Sequence, residues 1–93
     1  MQVQGTIQSI SLAKKVTESF TKRDFTLTID EDKQYPQTLQ FELHNDRVDI
    51  IEAYDAGDQV MVDFNLKGRQ FMKDGEQRTI NTLACWKIQP LKK

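Results

Sequence analysis

Strict alternation of apolar and polar residues, repeated in separate short segments, limits most strongly how this chain can fold. RDFTLTID (23–30), TLQFEL (38–43) and VMVDFNL (60–66) each place every second residue in an apolar position. Alternate side chains lie on opposite faces of a strand, so each segment predicts a β-strand with one buried face. The residues predicted to face inward are Phe25, Leu27, Ile29, Leu39, Phe41, Leu43, Val60, Val62, Phe64 and Leu66.

The two ends of the chain predict two further strands. Residues 2–10 mix apolar residues with Gln and Thr, and Gly5 marks a bulge or a point of close approach. Residues 79–88 form the last predicted strand, in which the broken alternation at Leu83 and Ala84 predicts a bulge. Residues 11–21 have no sustained period and predict a loop.

One segment, NDRVDIIEAYDAG (45–57), changes to a helical period. Asn45 or Asp46 is the predicted cap and Gly57 the predicted stop of one short helix. Its apolar face is formed by Val48, Ile51 and Tyr54, with Ile50 beside them.

The order is therefore strand, strand, strand, helix, strand, strand. A five-stranded Greek-key barrel with its helix between strands three and four is the oligonucleotide/oligosaccharide-binding (OB) fold. The predicted fold class is all-β with one short helix. Ninety-three residues suit a single domain, predicted at 1–90, with a short tail at 91–93.

Charge is distributed unevenly, although the net charge is only −1. Segments 11–23 and 67–78 carry local charges of +3 and +2, and segment 46–58 carries −4. In an OB fold, the loop joining strands one and two and the loop joining strands four and five flank one groove. The sequence thus predicts a cationic groove, with the acidic helix at an end of the barrel away from it.

A groove that binds single-stranded nucleic acid needs cations for the phosphates and flat apolar faces for the bases. The predicted cations are Lys14, Lys15, Lys22, Arg23, Lys67, Arg69, Lys73 and Arg78. The predicted stacking faces are Phe20, Tyr35 and Phe71. Phe71 stands out because it lies on a charged hairpin, KGRQFMKDGEQR, where the chain alone offers little to bury it. It could stack on a base or contact a neighbouring subunit.

Catalytic chemistry finds little support in the sequence. His44 is the single histidine and Cys85 the single cysteine, a combination that predicts neither a metal site nor a nucleophile pair. No Gly-x-x-x-x-Gly-Lys motif is present, and we predict no catalytic site and no cofactor. Cys85 and Trp86 are predicted core residues. With one cysteine, and without an apolar leader or a long apolar run, the predicted location is the cytoplasm.

The C-terminal half resembles the single-stranded DNA-binding protein family. The matching residues are Gly57-Asp58, Arg69-Gln70-Phe71, Asp74-Gly75 and Arg78. Nearly the whole chain resembles more closely a small uncharacterised bacterial family of OB domains. The residues that carry this second resemblance are Lys22-Arg23-Asp24-Phe25, Tyr35-Pro36-Gln37, Asp46 to Asp49, Phe64-Asn65-Leu66, Gly68-Arg69-Gln70-Phe71 and Cys85-Trp86.

The resemblance implies a non-enzymatic single-stranded DNA-binding protein of weak sequence selectivity, a homo-oligomer that acts in DNA replication or repair. Three features depart from the relatives. Phe71 stands where tryptophan is common, Asp24 adds a negative charge beside the groove, and the ending QPLKK lacks the acidic tail that recruits partners. RNA remains an alternative ligand. An OB module that mediates protein interaction or oligomerisation, without binding nucleic acid, is the alternative function.

Overall fold

A computed structural model describes residues 1–29 and 34–91. Six strands are present: β1 Gln2–Ile10, β2 Lys14–Thr17, β3 Phe20–Ile29, β4 Gln37–His44, β5 Gln59–Lys73 and β6 Glu76–Pro90. Two 3-10 helices, Asn45–Arg47 and Ile50–Ala53, connect β4 to β5. The predicted break at EDKQYP lies partly outside the described residues, and the predicted tail lies mostly outside them. None of the helices in the described residues is long and apolar enough to cross a membrane.

The strands form one sheet in the order β1-β5-β6-β4-β3-β2, and an additional pairing of β1 with β3 closes it. All pairings are antiparallel except that of β4 with β6, where Phe41 lies beside Leu83 and Glu42 beside Ala84. β1, β3, β4, β5 and β6 correspond to the five predicted strands, and the helical connection lies at the predicted place. The predicted OB fold is confirmed, with one strand more than expected.

The extra strand, β2, corrects the prediction of a loop at 11–21. β2 pairs with β3 in an antiparallel hairpin that sets Lys14 opposite Lys22 and Lys15 opposite Thr21. Every residue of β2 is exposed. A strand without a buried face leaves no apolar alternation in the sequence, which explains why the pattern indicated a loop.

The connection between β4 and β5 is helical, but it is not the single capped helix that was predicted. Asn45 has a φ of 51°, and its Oδ1 accepts a hydrogen bond from the Thr21 backbone N–H at 3.0 Å. It therefore ties the β2–β3 hairpin to the connection and does not cap a helix. Helical structure ends at Ala53, before Gly57, which takes a φ of 99° in the turn that precedes β5. Short polar and β-branched residues disfavour a longer helix here.

Three aromatic rings form the centre of the barrel core. Phe25 and Phe41, paired across β3 and β4, stack at 5.2 Å between centroids, and Phe64 meets Phe41 edge-on at 5.3 Å. The other fully buried side chains include Ile7, Leu27, Leu43, Ile51, Val60 and Val62. Leu66, predicted to face inward, is 57% exposed. The alternation continues to Leu66, but β5 has left the barrel by that point.

The sheet has two local irregularities, one in β1 and one in β6. A Cβ at Gly5 would lie 2.5 Å from the Thr28 carbonyl oxygen, which confirms Gly5 as a point of close approach. The predicted bulge in β6 exists but lies later than expected. Asp63 pairs with Lys87 and the next residue, Phe64, pairs with Cys85, so the extra residue is Trp86.

β5 and β6 are both 15 residues long and project from the barrel as a hairpin. Asp74 and Gly75 have φ values of 53° and 78°, the backbone of the two-residue turn that the Asp-Gly pair predicts. Phe64 exchanges two backbone hydrogen bonds with Met1, at 2.8 and 3.0 Å, and beyond Phe64 the described strand pairings of β5 are with β6 alone. The hairpin therefore presents two faces, and its register decides which residues share each face.

Candidate nucleic-acid interface

The hairpin gathers five of the predicted site residues on one face, which we call the outer face. Lys67, Arg69, Phe71 and Lys73 occupy alternate positions of β5 and therefore point the same way. The register sets Arg78 of β6 opposite Phe71. Cations and the aromatic ring thus form one continuous surface, although they are scattered over twelve residues of sequence.

Phe71 is half-buried on this face and less exposed than the sequence suggested. The guanidinium carbon of Arg69 lies 5.8 Å from the centroid of the Phe71 ring, within cation–π distance. Arg69 therefore covers part of the ring. The pair offers a flat cation and a flat aromatic group side by side.

The β2–β3 hairpin contributes a second group of predicted residues. Lys14 of β2 lies opposite Lys22 of β3, and Val16 extends the same side of the strand as Lys14. The Phe20 ring lies 5.1 Å from the imidazole of His44, tilted by 59°. This contact joins the β2–β3 hairpin to the end of β4.

A groove of about 560 Å³ connects the two hairpins. Its lining residues are Val16, Phe20, Lys22, Glu42, His44, Lys67, Gly68, Arg69, Ile80 and Thr82. Four of them, Phe20, Lys22, Lys67 and Arg69, are predicted site residues. The volume lies within the range of about 300–1,000 Å³ that is typical of small-molecule sites. The structure thus unites the two basic segments on one groove, as the OB topology led us to expect.

Six residues of the groove lining were not predicted as site residues, namely Val16, Glu42, His44, Gly68, Ile80 and Thr82. Glu42 and His44 occupy the outward positions of β4, where a polar residue looks like ordinary solvent-facing surface. Ile80 is apolar yet 41% exposed, because it faces the groove from the outer side of β6. The alternation along each strand indicates which side chains point away from the core. That these residues line one groove depends on the closure of the barrel, which the alternation does not show.

The groove contains acidic as well as basic groups. Lys22 Nζ lies 3.3 Å from Glu42 and 3.7 Å from Asp24, so its charge is shared between two carboxylates. His44 Nε2 donates a hydrogen bond to Glu42 Oε1 at 2.9 Å. Burial by itself raises the pKa of the Glu42 carboxyl, but the His44 hydrogen bond and the Lys22 ammonium outweigh it and leave that pKa below its ordinary value. Glu42 is therefore ionised at neutral pH.

Arg23 is turned away from the groove. Its side chain is 11% exposed, and its guanidinium donates to the Ser11 carbonyl at 2.8 Å and to the Glu52 carboxylate at 2.6 Å. The acidic segment thus touches one of the predicted cations instead of lying wholly apart from them. Arg23 fastens the connection after β1 to the second 3-10 helix, and nothing in its contacts directs it toward a ligand.

Lys15 and Tyr35 also lie outside the groove lining. Lys15 alternates with Lys14 along β2 and therefore points to the opposite side. Tyr35 is 73% exposed in the segment before β4, where its backbone carbonyl accepts a hydrogen bond from the Gln37 side chain.

The two residues predicted to lie in the core near the end of β6 differ in their environments. Cys85 is buried, and burial raises the pKa of its thiol to about 12. Trp86 is 42% exposed, because the bulge turns it out of the barrel. The prediction that Trp86 is a core residue is wrong for this reason.

A second open cavity, of about 690 Å³, lies at the far end of the barrel. It is lined by Ala53, Tyr54, Gly57, Asp58, Gln59, Pro90 and Leu91. No lysine or arginine is among these lining residues, and Asp58 makes the cavity unsuited to a phosphate. Among residues 1–29 and 34–91, no cluster of three or more His, Cys, Asp or Glu side chains could hold a metal ion.

The chain belongs to the family described as "Domain of unknown function (DUF3127)", whose model matches residues 2–89. The sequence matches no curated protein.

Solved structures of single-stranded DNA-binding proteins have the same fold. The mitochondrial protein Rim1 of S. cerevisiae aligns with a TM-score of 0.73 at 18% identity, over 99% of this chain and 93% of Rim1. A deletion mutant of the Thermus aquaticus protein aligns with a TM-score of 0.73 at 21% identity, over 98% of this chain. The present chain spans about half of that protein, 49%. The Plasmodium falciparum protein, solved with ssDNA, aligns with a TM-score of 0.65 at 17% identity, over 99% of this chain and 93% of that protein.

Proposed function

We propose that this member of the DUF3127 family is a non-enzymatic single-stranded DNA-binding protein of weak sequence selectivity. The observation that carries the proposal is the outer face of the β5–β6 hairpin, on which Lys67, Arg69 and Phe71 alternate and run directly into the groove. The likeness of the fold to single-stranded DNA-binding proteins supports it.

This surface has groups that suit both parts of a single strand, the phosphates and the bases. Lysine and arginine side chains at the rim of the groove and along the hairpin neutralise phosphates. The rings of Phe71 and Phe20 offer stacking faces, each of which contributes roughly 1–3 kcal/mol per base. Stacking accepts every base, and phosphate contacts carry no sequence information. The proposed binding is therefore only weakly sequence-selective.

The proposed binding residues form a central group, an extension of it and a peripheral group. The central set is Phe20, Lys22, Lys67, Arg69 and Phe71, extended by Lys14, Lys73 and Arg78 on the same surfaces. Tyr35 and Lys15 are accessible but peripheral, and Arg23 contributes by holding the fold.

The biological setting is part of the proposal. One small groove, in which Lys22 is paired with two carboxylates, binds weakly, so a homo-oligomer that presents several grooves to one strand gains avidity. A cytoplasmic role in DNA replication or repair fits such an activity. RNA would stack in the same groove, and competition between DNA and RNA oligonucleotides of equal sequence decides between the two.

Fluorescence anisotropy of a labelled single-stranded oligonucleotide tests the proposal. Phe71→Ala removes the stacking ring and is expected to weaken binding by about 5- to 150-fold, from the roughly 1–3 kcal/mol per base. Leu12→Ala is the control, because Leu12 is a large apolar side chain that is 87% exposed and lies outside both the groove lining and the β5–β6 hairpin. Wild-type protein that leaves the anisotropy unchanged even at low salt would refute the proposal.

A second candidate function is oligomerisation through the other face of the same hairpin. Leu66 and Met72 lie on that face six residues apart along β5, and they are 57% and 68% exposed. A second copy of the chain could cover them. Leu66→Glu would then lower the molar mass measured by light scattering without loss of folded structure, whereas an unchanged mass would exclude this face as the contact.

A further inference from the structure

Glu42 is an unexpected residue at the centre of a groove for a polyanion. It lines the groove together with Lys22, Lys67 and Arg69, and its side chain is 22% exposed. A carboxylate at this position repels phosphates, so it would weaken a surface that bound only the sugar-phosphate backbone of a nucleic acid. A function for the carboxylate must therefore involve something other than the phosphates.

The surroundings of Glu42 hold its carboxylate in one orientation. His44 Nε2 lies 2.9 Å from Oε1, and Lys22 Nζ lies 3.3 Å from Oε2. His44 is itself held by the Phe20 ring at 5.1 Å. Each carboxylate oxygen can accept more than one hydrogen bond, so both retain acceptor capacity toward the groove.

Apolar groups beside the carboxylate give the groove the shape of a base site. Phe20, Val16 and Ile80 line it together with Glu42. A base that enters the groove can therefore lie against an aromatic or aliphatic surface while its hydrogen-bonding edge meets a fixed acceptor. Lys67 and Arg69 remain at the β5 side of the groove for the adjoining phosphates.

We propose that Glu42 reads one base of the bound strand and selects a base that carries an exocyclic amino group, cytosine before thymine. This inference rests on the proposed function. The N4 amino group of cytosine donates to a carboxylate, which is the pairing known for Glu and Asp with cytosine. Lys22, Lys67 and Arg69 are donors within the same groove for the acceptors of cytosine.

Thymine presents the wrong group at the same position. Its O4 is an acceptor, so it would face the Glu42 carboxylate with no proton between them. Uracil has the same O4 and lacks the C5 methyl group, which separates the hydrogen-bonding effect from the contribution of the methyl. Cytosine and uracil thus differ in the group that Glu42 is proposed to read and at the neighbouring N3, which is an acceptor in cytosine and carries a proton in uracil.

The test compares homopolymeric deoxycytidine, deoxyuridine and thymidine oligonucleotides of equal length by anisotropy at neutral pH. We expect wild-type protein to bind deoxycytidine about tenfold more tightly than deoxyuridine, which corresponds to about 1.4 kcal/mol and lies in the range of a directly read base. Glu42→Gln should bring the ratio close to one, because an amide can donate to O4 as well as accept from N4.

Glu76→Gln is the matched control. Glu76 is an exposed carboxylate on the outer face of β6, 3.6 Å from Arg78 and outside the groove lining, so its substitution removes the same charge. It should strengthen binding to all three oligonucleotides alike and leave their ratio unchanged. A ratio that falls equally in Glu76→Gln and Glu42→Gln would mean that net charge, and not reading by Glu42, sets the preference.

The remaining outcomes separate the inference from the proposed function. Equal binding of all three oligonucleotides by wild-type protein overturns the base-reading inference and leaves single-stranded DNA binding intact. A preference for deoxycytidine that survives Glu42→Gln in folded protein overturns the assignment to Glu42. Binding to none of them refutes the proposed function. The wild-type comparison needs no variant, so equal binding of the three oligonucleotides would overturn the inference even if Glu42→Gln does not fold.

Discussion

Gly5 lies where the barrel closes, and a single methyl group there should measurably weaken the fold. A Cβ at this position would lie 2.5 Å from the Thr28 carbonyl oxygen, 2.9 Å from Leu27 Cγ and 3.0 Å from Ile29 Cγ2. The neighbouring Thr6 pairs with Thr28, so the contact falls on the pairing of β1 with β3. Gly5→Ala must therefore push these two strands apart.

The size of the effect follows from two opposing contributions. Overpacking typically costs about 1–3 kcal/mol, and the upper part of this range applies because the nearest atom is a backbone oxygen that cannot rotate away. Replacing a strand glycine by alanine recovers roughly 0.5–1 kcal/mol of backbone entropy. A net loss of about 1–2 kcal/mol remains, which lowers the Tm by roughly 4–16 °C for a domain of this size.

Urea and thermal denaturation measure the loss, with Trp86 fluorescence and far-UV circular dichroism as independent signals. Gly68→Ala is the control, since its Cβ would lie 3.3 Å from the Asn81 side-chain oxygen, which can move. Its unfolding free energy should equal that of wild type or exceed it by up to about 1 kcal/mol, because the gain in backbone entropy is not opposed by a backbone clash. If Gly5→Ala proved as stable as Gly68→Ala, the close approach of β1 to β3 could not be as described.

Three further predictions concern single side chains. Burial raises the pKa of the Cys85 thiol to about 12, so iodoacetamide should alkylate it only on unfolding; fast labelling of native protein would contradict its burial. The lowered pKa of Glu42 contributes stability that is present above its ordinary value of 4.5 and lost as pH falls through the lowered value. Glu42→Gln should therefore flatten the acid slope of the unfolding free energy, and an unchanged slope would exclude this origin. Arg23→Ala should cost about 1–3 kcal/mol by removing its bonds to Ser11 and Glu52, without altering DNA affinity; weaker binding by folded protein would assign Arg23 to the interface.

The fold was predictable where a strand buries one face, because such a strand requires apolar and polar residues to alternate in the sequence. β3 and β4 follow their alternation to the barrel core, and the change of period after β4 marks the helical connection. β2 has no such alternation, because all its residues are exposed. Leu66 shows the reverse error: the alternation persists after β5 leaves the barrel, so pattern alone cannot show where burial ends.

The site was predictable in composition and less so in arrangement. The OB topology led us to expect that the two basic segments flank one groove, and Lys22, Lys67 and Arg69 do line it together. Glu42 and His44 could not be recognised as groove residues, because the sequence does not show which outward-facing polar residues of a strand will lie beside another element. Arg23 could not be excluded either, since its partner Glu52 is 29 residues away in the sequence.

The salt dependence of single-stranded DNA binding tests the central claim most directly. The logarithm of the association constant should fall linearly with the logarithm of salt concentration, with a slope of about 0.7 for each neutralised phosphate. Lys67→Gln and Arg69→Gln, each within the groove, should lower the slope by about 0.7 per lost contact. Lys87→Gln, on β6 and outside the groove lining, should leave it unchanged. Binding that is absent, or that ignores salt in all four proteins, would contradict the proposal that this groove holds a nucleic-acid backbone.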